Sequence, residues 1–92
     1  MTPTIKLVVV DDHALFRRGL VGLLNEIEGF SVVGQAGDGA QALDVIAQLQ
    51  PDVVLMDLNM PMMDGIETLR ALRERKQDVH VLMLTISQDN DD

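Results

Sequence analysis

The chain has 92 residues, which suffices for one domain with a single hydrophobic core. Its 15 acidic and 7 basic residues give a formal net charge of −8, which argues against direct nucleic-acid binding because phosphate contacts need a basic face. The absence of cysteine excludes disulfides and thiolate metal sites. Because the sequence shows neither a signal peptide nor an apolar run long enough to span a membrane, we expect a cytoplasmic protein.

The first half of the chain alternates short β-branched runs with helical patterns, which is typical of βαβ units around a parallel sheet. The nearly all-apolar run Ile5–Val10 predicts a strand covered on both faces, and it ends at Asp11 and Asp12. A first helix follows, with apolar residues that share one helical face: Phe16, Leu20, Leu23, Leu24 and Ile27.

Three further units continue the alternation. A short second strand is predicted over residues 31–35, and a second helix carries Ala42, Leu43, Ile46, Ala47 and Leu49 and ends at Pro51. The third strand, residues 52–56, runs directly into Asp57. Asp64 then reads as the N-cap of a third helix that buries Ile66, Leu69 and Leu72, and the fourth strand, residues 79–84, ends at Thr85. Ser87 is placed to cap a fourth helix.

Polar residues follow three of these strands where each apolar run stops: Asp11, Asp12, Asp57 and Thr85. The carboxyl ends of parallel strands share one edge of a sheet, where ligands bind in open α/β folds. Two carboxylates 4 Å apart repel by about 4 kcal/mol at an effective dielectric of 20, so such a cluster needs a proton or a cation. Oxygen ligands on an open edge suit Mg²⁺. The residues thus predict an acidic Mg²⁺ site with a candidate nucleophile.

Structural interpretations compete with this site. The acid pair could cap the first helix, where Asp is favoured. Taken alone, Asp57 could be a solvated loop residue, and Thr85 a helix cap or strand-end hydroxyl. His13 follows the acid pair, but a histidine at a helix start is more often structural, and we leave it out of the predicted metal ligands.

Several segments together resemble the receiver domains of two-component response regulators: residues 8–13, 52–61, 64–65 and 81–85. The resemblance runs from Ile5 to the end of the chain. The Asp-Asp-His start and the Val-Val-Gly of the second strand are most similar to the NarL/FixJ (LuxR-type) subfamily.

The resemblance implies a flavodoxin-like fold, a doubly wound α/β sheet of strand order 2-1-3-4-5 with helices on both faces. Residues 1–92 would form one receiver domain that lacks the fifth strand and last helix, with no DNA-binding domain in this chain. The family carries a lysine and a switch aromatic on the fifth strand, and the chain ends before both.

The resemblance also assigns roles to individual residues. Asp57 would be the phosphoacceptor and one Mg²⁺ ligand. Asp12 would bind Mg²⁺ directly, Asp11 mainly through water, and the backbone carbonyl of Asn59 would be a further ligand. Thr85 would be the switch hydroxyl that contacts the aspartyl phosphate.

The implied function is a signalling switch and not a turnover enzyme. A sensor histidine kinase would donate the phosphoryl group, and the conformational change would control an output such as transcription in a longer parent protein. An exposed sheet edge or the helix-four surface would support a homodimer, with neither nucleic acid nor membrane as a partner. Two alternatives stay open, a degenerate receiver used only for protein contacts and a Mg²⁺-dependent aspartyl-phosphate phosphohydrolase. The phosphohydrolase is disfavoured because no Asp-x-Asp motif follows the first strand.

Overall fold

The computed structural model describes residues 3–57, 65–75 and 79–84. Strands and helices alternate along these residues: β1 Ile5–Val10, α1 Ala14–Asn25, β2 Phe30–Ala36, α2 Gly39–Leu49, β3 Val53–Asp57, α3 Gly65–Glu74 and β4 His80–Leu84. The strands form one sheet of order β2-β1-β3-β4 in which each neighbouring pair is parallel. The predicted flavodoxin-like α/β fold is confirmed, and the order matches its first four strands.

Strand β1 lies at the centre of the fold because both of its neighbours hydrogen-bond to it. Its residues from Leu7 to Val10 are all buried, as the unbroken apolar run predicts for a strand covered on both faces. The core cluster joins β1 to the inner faces of β3, α2 and α3 through Val8, Val10, Ala36, Ala42, Leu43, Ile46, Val54, Met56 and Leu72.

Helix α2 packs closely on β2 because Gly34 leaves room for it. A Cβ atom at Gly34 would lie 2.7 Å from Leu49 Cδ1 and 2.9 Å from Val45 Cγ1. The helix begins where the Asp38 side chain accepts the Gln41 N–H at 2.8 Å. It ends at Gln50, whose left-handed backbone (φ 47°) terminates the helix before Pro51.

Helix α1 forms as predicted, but its apolar face is not buried. No residue of α1 is buried, Leu23 is 65% exposed, and Ile27 lies beyond the end of the helix. Among the described elements, α1 lies against β1 and β2. The periodicity therefore predicts the helix correctly, whereas the burial of its apolar face depends on which elements cover it.

Helix α3 buries Leu72 and Thr68, while Leu69 is half-buried. The predicted burial of Ile66 is wrong, because this residue is 52% exposed in the first turn of the helix. The predicted caps Asp64 and Ser87 lie outside the described residues. None of the described helices is long and apolar enough to cross a membrane.

Asp52 ties together the amino ends of three strands. Its side chain accepts the Lys6 N–H at 2.8 Å, and its own N–H donates to the Lys6 carbonyl at 2.8 Å. Its carbonyl accepts the His80 N–H at 3.2 Å. These bonds fix β1, β3 and β4 at the sheet edge opposite the acidic residues.

Candidate functional site

The strand register brings the acidic residues together at one edge of the sheet. Val10 pairs with Met56, so that Asp11 and Asp57 extend from adjacent strands. Asp11, Asp12, His13 and Asp57 each offer one potential ligand atom, and these atoms all lie within 4.8 Å of one another. The structure thus assembles the three predicted carboxylates and adds an imidazole.

Asp11 is the most deeply placed member of this cluster, with a side chain only 2% exposed. Its Oδ1 accepts the backbone N–H of His13 at 2.8 Å and lies 3.2 Å from the His13 Nδ1. Its Oδ2 is buried and finds no hydrogen-bond partner among the described residues. One oxygen of this carboxylate therefore shapes the turn, while the other remains available to a ligand.

Asp12 presents a second oxygen of the same kind. Its Oδ1 is buried and lies 3.3 Å from His13 Nδ1, outside hydrogen-bond geometry and with no other partner in the described ranges. Buried carboxylate oxygens without donors are costly unless a cation or an ordered water satisfies them. Two such oxygens within one cluster are what a divalent cation would neutralise.

The helix-cap interpretation of the acid pair does not describe this turn. The N-cap residue of α1 is His13, and its side chain makes no capping hydrogen bond. Asp11 instead accepts the N–H two residues further on, in the manner of an Asx turn. The acid pair therefore lies ahead of the helix, at the sheet edge.

Arg17 stabilises this turn from the first helix and was not singled out from the sequence. Its guanidinium donates to the Asp11 carbonyl through Nη1 and to Gln35 Oε1 at 3.2 Å through Nε. It thereby links the end of β1 to β2 and bonds the backbone of the turn that carries the acid pair. Residue type does not distinguish Arg17 from its neighbour Arg18. The two differ in their angular position around the helix, which directs Arg17 toward the sheet edge.

The remaining predicted site residues divide into two groups. Asp57 is the last residue of β3, is 5% exposed, and pairs in register with Leu84 of β4. Asn59 and Thr85 lie outside the described residues, so their predicted roles stay predictions.

The residues present fit a divalent cation. Carboxylate oxygens are the ligands that Mg²⁺ takes in proteins, usually one or two of them together with water and phosphate oxygens. Two buried carboxylate oxygens that receive no hydrogen bond from residues 3–57, 65–75 or 79–84 supply the structural reason for a cation at this edge. The half-exposed rim formed by Asp12 and His13 leaves the cluster open to solvent.

Comparison with known proteins gives a consistent result. A family profile described as the response regulator receiver domain matches residues 7–92. The response regulator GacA of Pseudomonas aeruginosa is 44% identical over 86 residues, which cover 94% of this chain and 40% of that protein. The nitrate/nitrite response regulator protein NarP of Escherichia coli is 45% identical over 87 residues, which cover 95% of this chain and 40% of that protein.

Solved structures agree with these relatives. The signal receiver domain of the putative response regulator NarL from Mycobacterium tuberculosis superimposes with a TM-score of 0.86 at 40% identity, covering 95% of this chain and 70% of that one. The chain spans about two fifths of the length of the curated relatives. The profile, the relatives and the fold together show that the chain belongs to the receiver-domain family of two-component response regulators, within its NarL/FixJ (LuxR-type) branch.

Proposed function

We propose that this chain is a phosphorylatable receiver in which Asp57 accepts the phosphoryl group. The observation that carries the proposal is the convergence of Asp57 with Asp11 and Asp12. Asp11 Oδ2 and Asp12 Oδ1 are buried, and no described residue donates a hydrogen bond to either of them. A carboxylate that served only to end a strand would not need two further carboxylates beside it. A carboxylate nucleophile needs a cation site next to it, because the cation reduces the electrostatic repulsion between the carboxylates and an approaching phosphate.

In the proposed reaction a carboxylate oxygen of Asp57 attacks phosphorus. The bond from phosphorus to the donor breaks as the acyl phosphate forms, and the donor leaves with the electron pair of that bond. With a phosphohistidine donor the leaving group is the imidazole nitrogen of a sensor histidine kinase. When bound, Mg²⁺ supplies positive charge to the phosphoryl oxygens.

The other residues act by position. Asp12 and Asp57 would hold the cation directly together with the backbone carbonyl of Asn59, and Asp11 would act mainly through water. Arg17 keeps the turn that carries the acid pair in place. Thr85 would contact the new phosphoryl group, and the added charge of about −1.5 to −2 would draw it into a second arrangement.

The output belongs to a longer protein. One relative of 44% identity is named as the transcriptional regulatory protein DegU, of Brevibacillus brevis, and this chain covers 36% of it. We propose that residues 1–92 are the receiver part of a longer cytoplasmic transcriptional regulator of this kind. It is a switch with no external substrate to turn over.

Intact-mass analysis after incubation with acetyl phosphate tests this proposal. The expected result is a Mg²⁺-dependent gain of one phosphoryl group that disappears in Asp57→Asn. The matched control is Asp44→Asn, which removes an exposed aspartate on α2 and should leave the gain unchanged.

A chain that gains no phosphoryl group, beside a relative that does in the same experiment, would instead favour the degenerate receiver. Steady release of inorganic phosphate from phosphomonoesters would favour the phosphohydrolase.

A further inference from the structure

His13 lies within the carboxylate cluster and has a nitrogen placed as a ligand atom would be. Its Nδ1 is 3.2 Å from Asp11 Oδ1 and 3.3 Å from Asp12 Oδ1. Ligand atoms of one Zn²⁺ ion lie about 3 to 3.5 Å apart, since metal–ligand bonds are roughly 2.1 Å long. Nδ1 therefore lies from each of these two oxygens at the spacing of ligands around a shared ion, and one ligand atom of each of the four groups lies within 4.8 Å of the others.

The backbone fixes this placement. His13 is the N-cap residue of α1, and its N–H is held by Asp11 Oδ1 at 2.8 Å. The same carboxylate oxygen faces Nδ1, so that the ring is held from both its backbone and its side chain. The imidazole side chain is 55% exposed, so the ring lies partly in contact with water.

We propose that His13 is a nitrogen ligand that makes this site selective for borderline transition-metal ions such as Zn²⁺ over Mg²⁺. The inference rests on the proposed cation site. Imidazole suits Zn²⁺, Ni²⁺ and Cu²⁺, whereas Mg²⁺ prefers oxygen ligands and keeps its waters. In the metal-free protein, Nδ1 lies at hydrogen-bond distance from Asp11 Oδ1; in the zinc-bound form this hydrogen bond is replaced, the ring proton lies on Nε2 and the Nδ1 lone pair is directed at the ion. Three carboxylates then complete an oxygen-and-nitrogen ligand set.

The consequence is regulatory. An ion held by four protein groups leaves fewer positions open to a phosphoryl oxygen than Mg²⁺, which is held with several waters. Zn²⁺ bound through His13 would therefore occupy the site without supporting phosphorylation of Asp57. Intracellular Zn²⁺ would in this way compete with the phosphorylation signal.

Calorimetric titration of the metal-free chain with Zn²⁺ and with Mg²⁺ provides the test. Loss of the imidazole in His13→Ala is expected to lower Zn²⁺ affinity by about tenfold, the scale seen when a metal site loses a supporting group. Mg²⁺ affinity should change by roughly twofold or less, because Mg²⁺ gains little from a nitrogen ligand. The matched control is His80→Ala, which removes the exposed histidine of β4 and should change neither affinity.

A second variant separates ligation from hydrogen bonding. In His13→Asn the side-chain amide can still donate to Asp11, but it offers no imidazole lone pair. It should lose Zn²⁺ affinity as His13→Ala does. In the unmodified chain, ¹⁵N NMR of the imidazoles should show the His13 Nδ1 resonance moving on Zn²⁺ addition while the His80 resonances stay in place.

Three outcomes would overturn the inference. Unchanged Zn²⁺ affinity in both His13 variants would show that the ring only hydrogen-bonds Asp11. Equal losses for Zn²⁺ and Mg²⁺ would show that His13 positions a carboxylate. Retention of Zn²⁺ affinity in His13→Asn alone would assign the effect to the hydrogen bond. The proposed function fails separately, through absence of phosphorylation with Mg²⁺ alone, which none of these titrations measures.

Discussion

At the scale of single residues, the site is organised by how each oxygen of the acid pair is used. Asp11 Oδ1 binds the backbone of the turn, while Asp11 Oδ2 and Asp12 Oδ1 are buried without donors within the described part of the chain. In the metal-free protein these negative charges repel one another, and the repulsion lowers the free energy of unfolding. A bound cation would offset this repulsion.

Replacing Asp11 by Asn should therefore stabilise the metal-free protein. The amide keeps an oxygen for the His13 N–H and removes one negative charge, so we expect the free energy of unfolding in EDTA to rise by about 1 kcal/mol. The same variant should lose most of the additional stability that Mg²⁺ confers. Urea unfolding with EDTA and with Mg²⁺ measures both effects.

The matched control is Asp44→Asn on the exposed face of α2, which should shift unfolding by less than about 0.5 kcal/mol under both conditions. A lower stability of Asp11→Asn in EDTA would contradict the argument and would mean that the charge itself holds the turn.

The three acidic residues could be predicted from the sequence because each follows an apolar run, and parallel strands bring such positions to one edge. The positions of His13 and Arg17 at the site could not be predicted from apolar runs. The position of the His13 ring depends on the turn that Asp11 closes, and Arg17 reaches the same turn because of its angular position on α1. Residue type and sequence spacing predict neither contact.

At the scale of elements, the helices differ in what covers them. Helix α2 buries Ala42, Leu43 and Ile46 against the sheet, as its periodicity predicts, whereas α1 buries none of its residues. Periodicity determines which residues share a face, and the neighbouring elements determine whether that face is buried. The strand limits, predicted from apolar runs, differ from the structure by a residue or so at the ends of β2, β3 and β4.

The close approach of α2 to β2 makes Gly34 a sensitive position. A methyl group there would meet Val45 Cγ1 at 2.9 Å, and the β-branched Val side chain cannot rotate freely to avoid it. We expect Gly34→Ala to lower the free energy of unfolding by about 1–3 kcal/mol, the usual cost of overpacking. Chemical denaturation measures the change.

Gly22 supplies the opposite case on the exposed surface of α1, where a Cβ atom would meet nothing within 4 Å. Gly22→Ala should raise stability by about 0.5–1 kcal/mol, because alanine is the better helix former. If both variants were equally stable, the tight contact beneath α2 would not matter energetically.

At the scale of the whole molecule, the formal charge of −8 opposes compaction, and the acidic cluster concentrates part of it. Salt should therefore stabilise the fold by screening. Mg²⁺ should do so by a larger amount at the same ionic strength, because specific binding adds RT ln(1 + [L]/Kd), about 2.7 kcal/mol at 100 times Kd.

Thermal unfolding in NaCl and in MgCl₂ of matched ionic strength compares the two effects. We expect a higher Tm in MgCl₂, and the excess should vanish in a variant that lacks both Asp12 and Asp57. Identical Tm values in the two salts would argue that the cluster does not bind Mg²⁺.

The pairing of β1 with β3 also has a consequence for the order of events during synthesis. Leu7 pairs with Val32 of β2 and with Val53 of β3, so the acid pair and its first neighbouring strand emerge from the ribosome well before Asp57. Only when β3 docks beside β1 do the three carboxylates meet. A nascent chain therefore has no assembled acidic site until this late, long-range step, so any function that needs all three carboxylates begins only once β3 has docked beside β1.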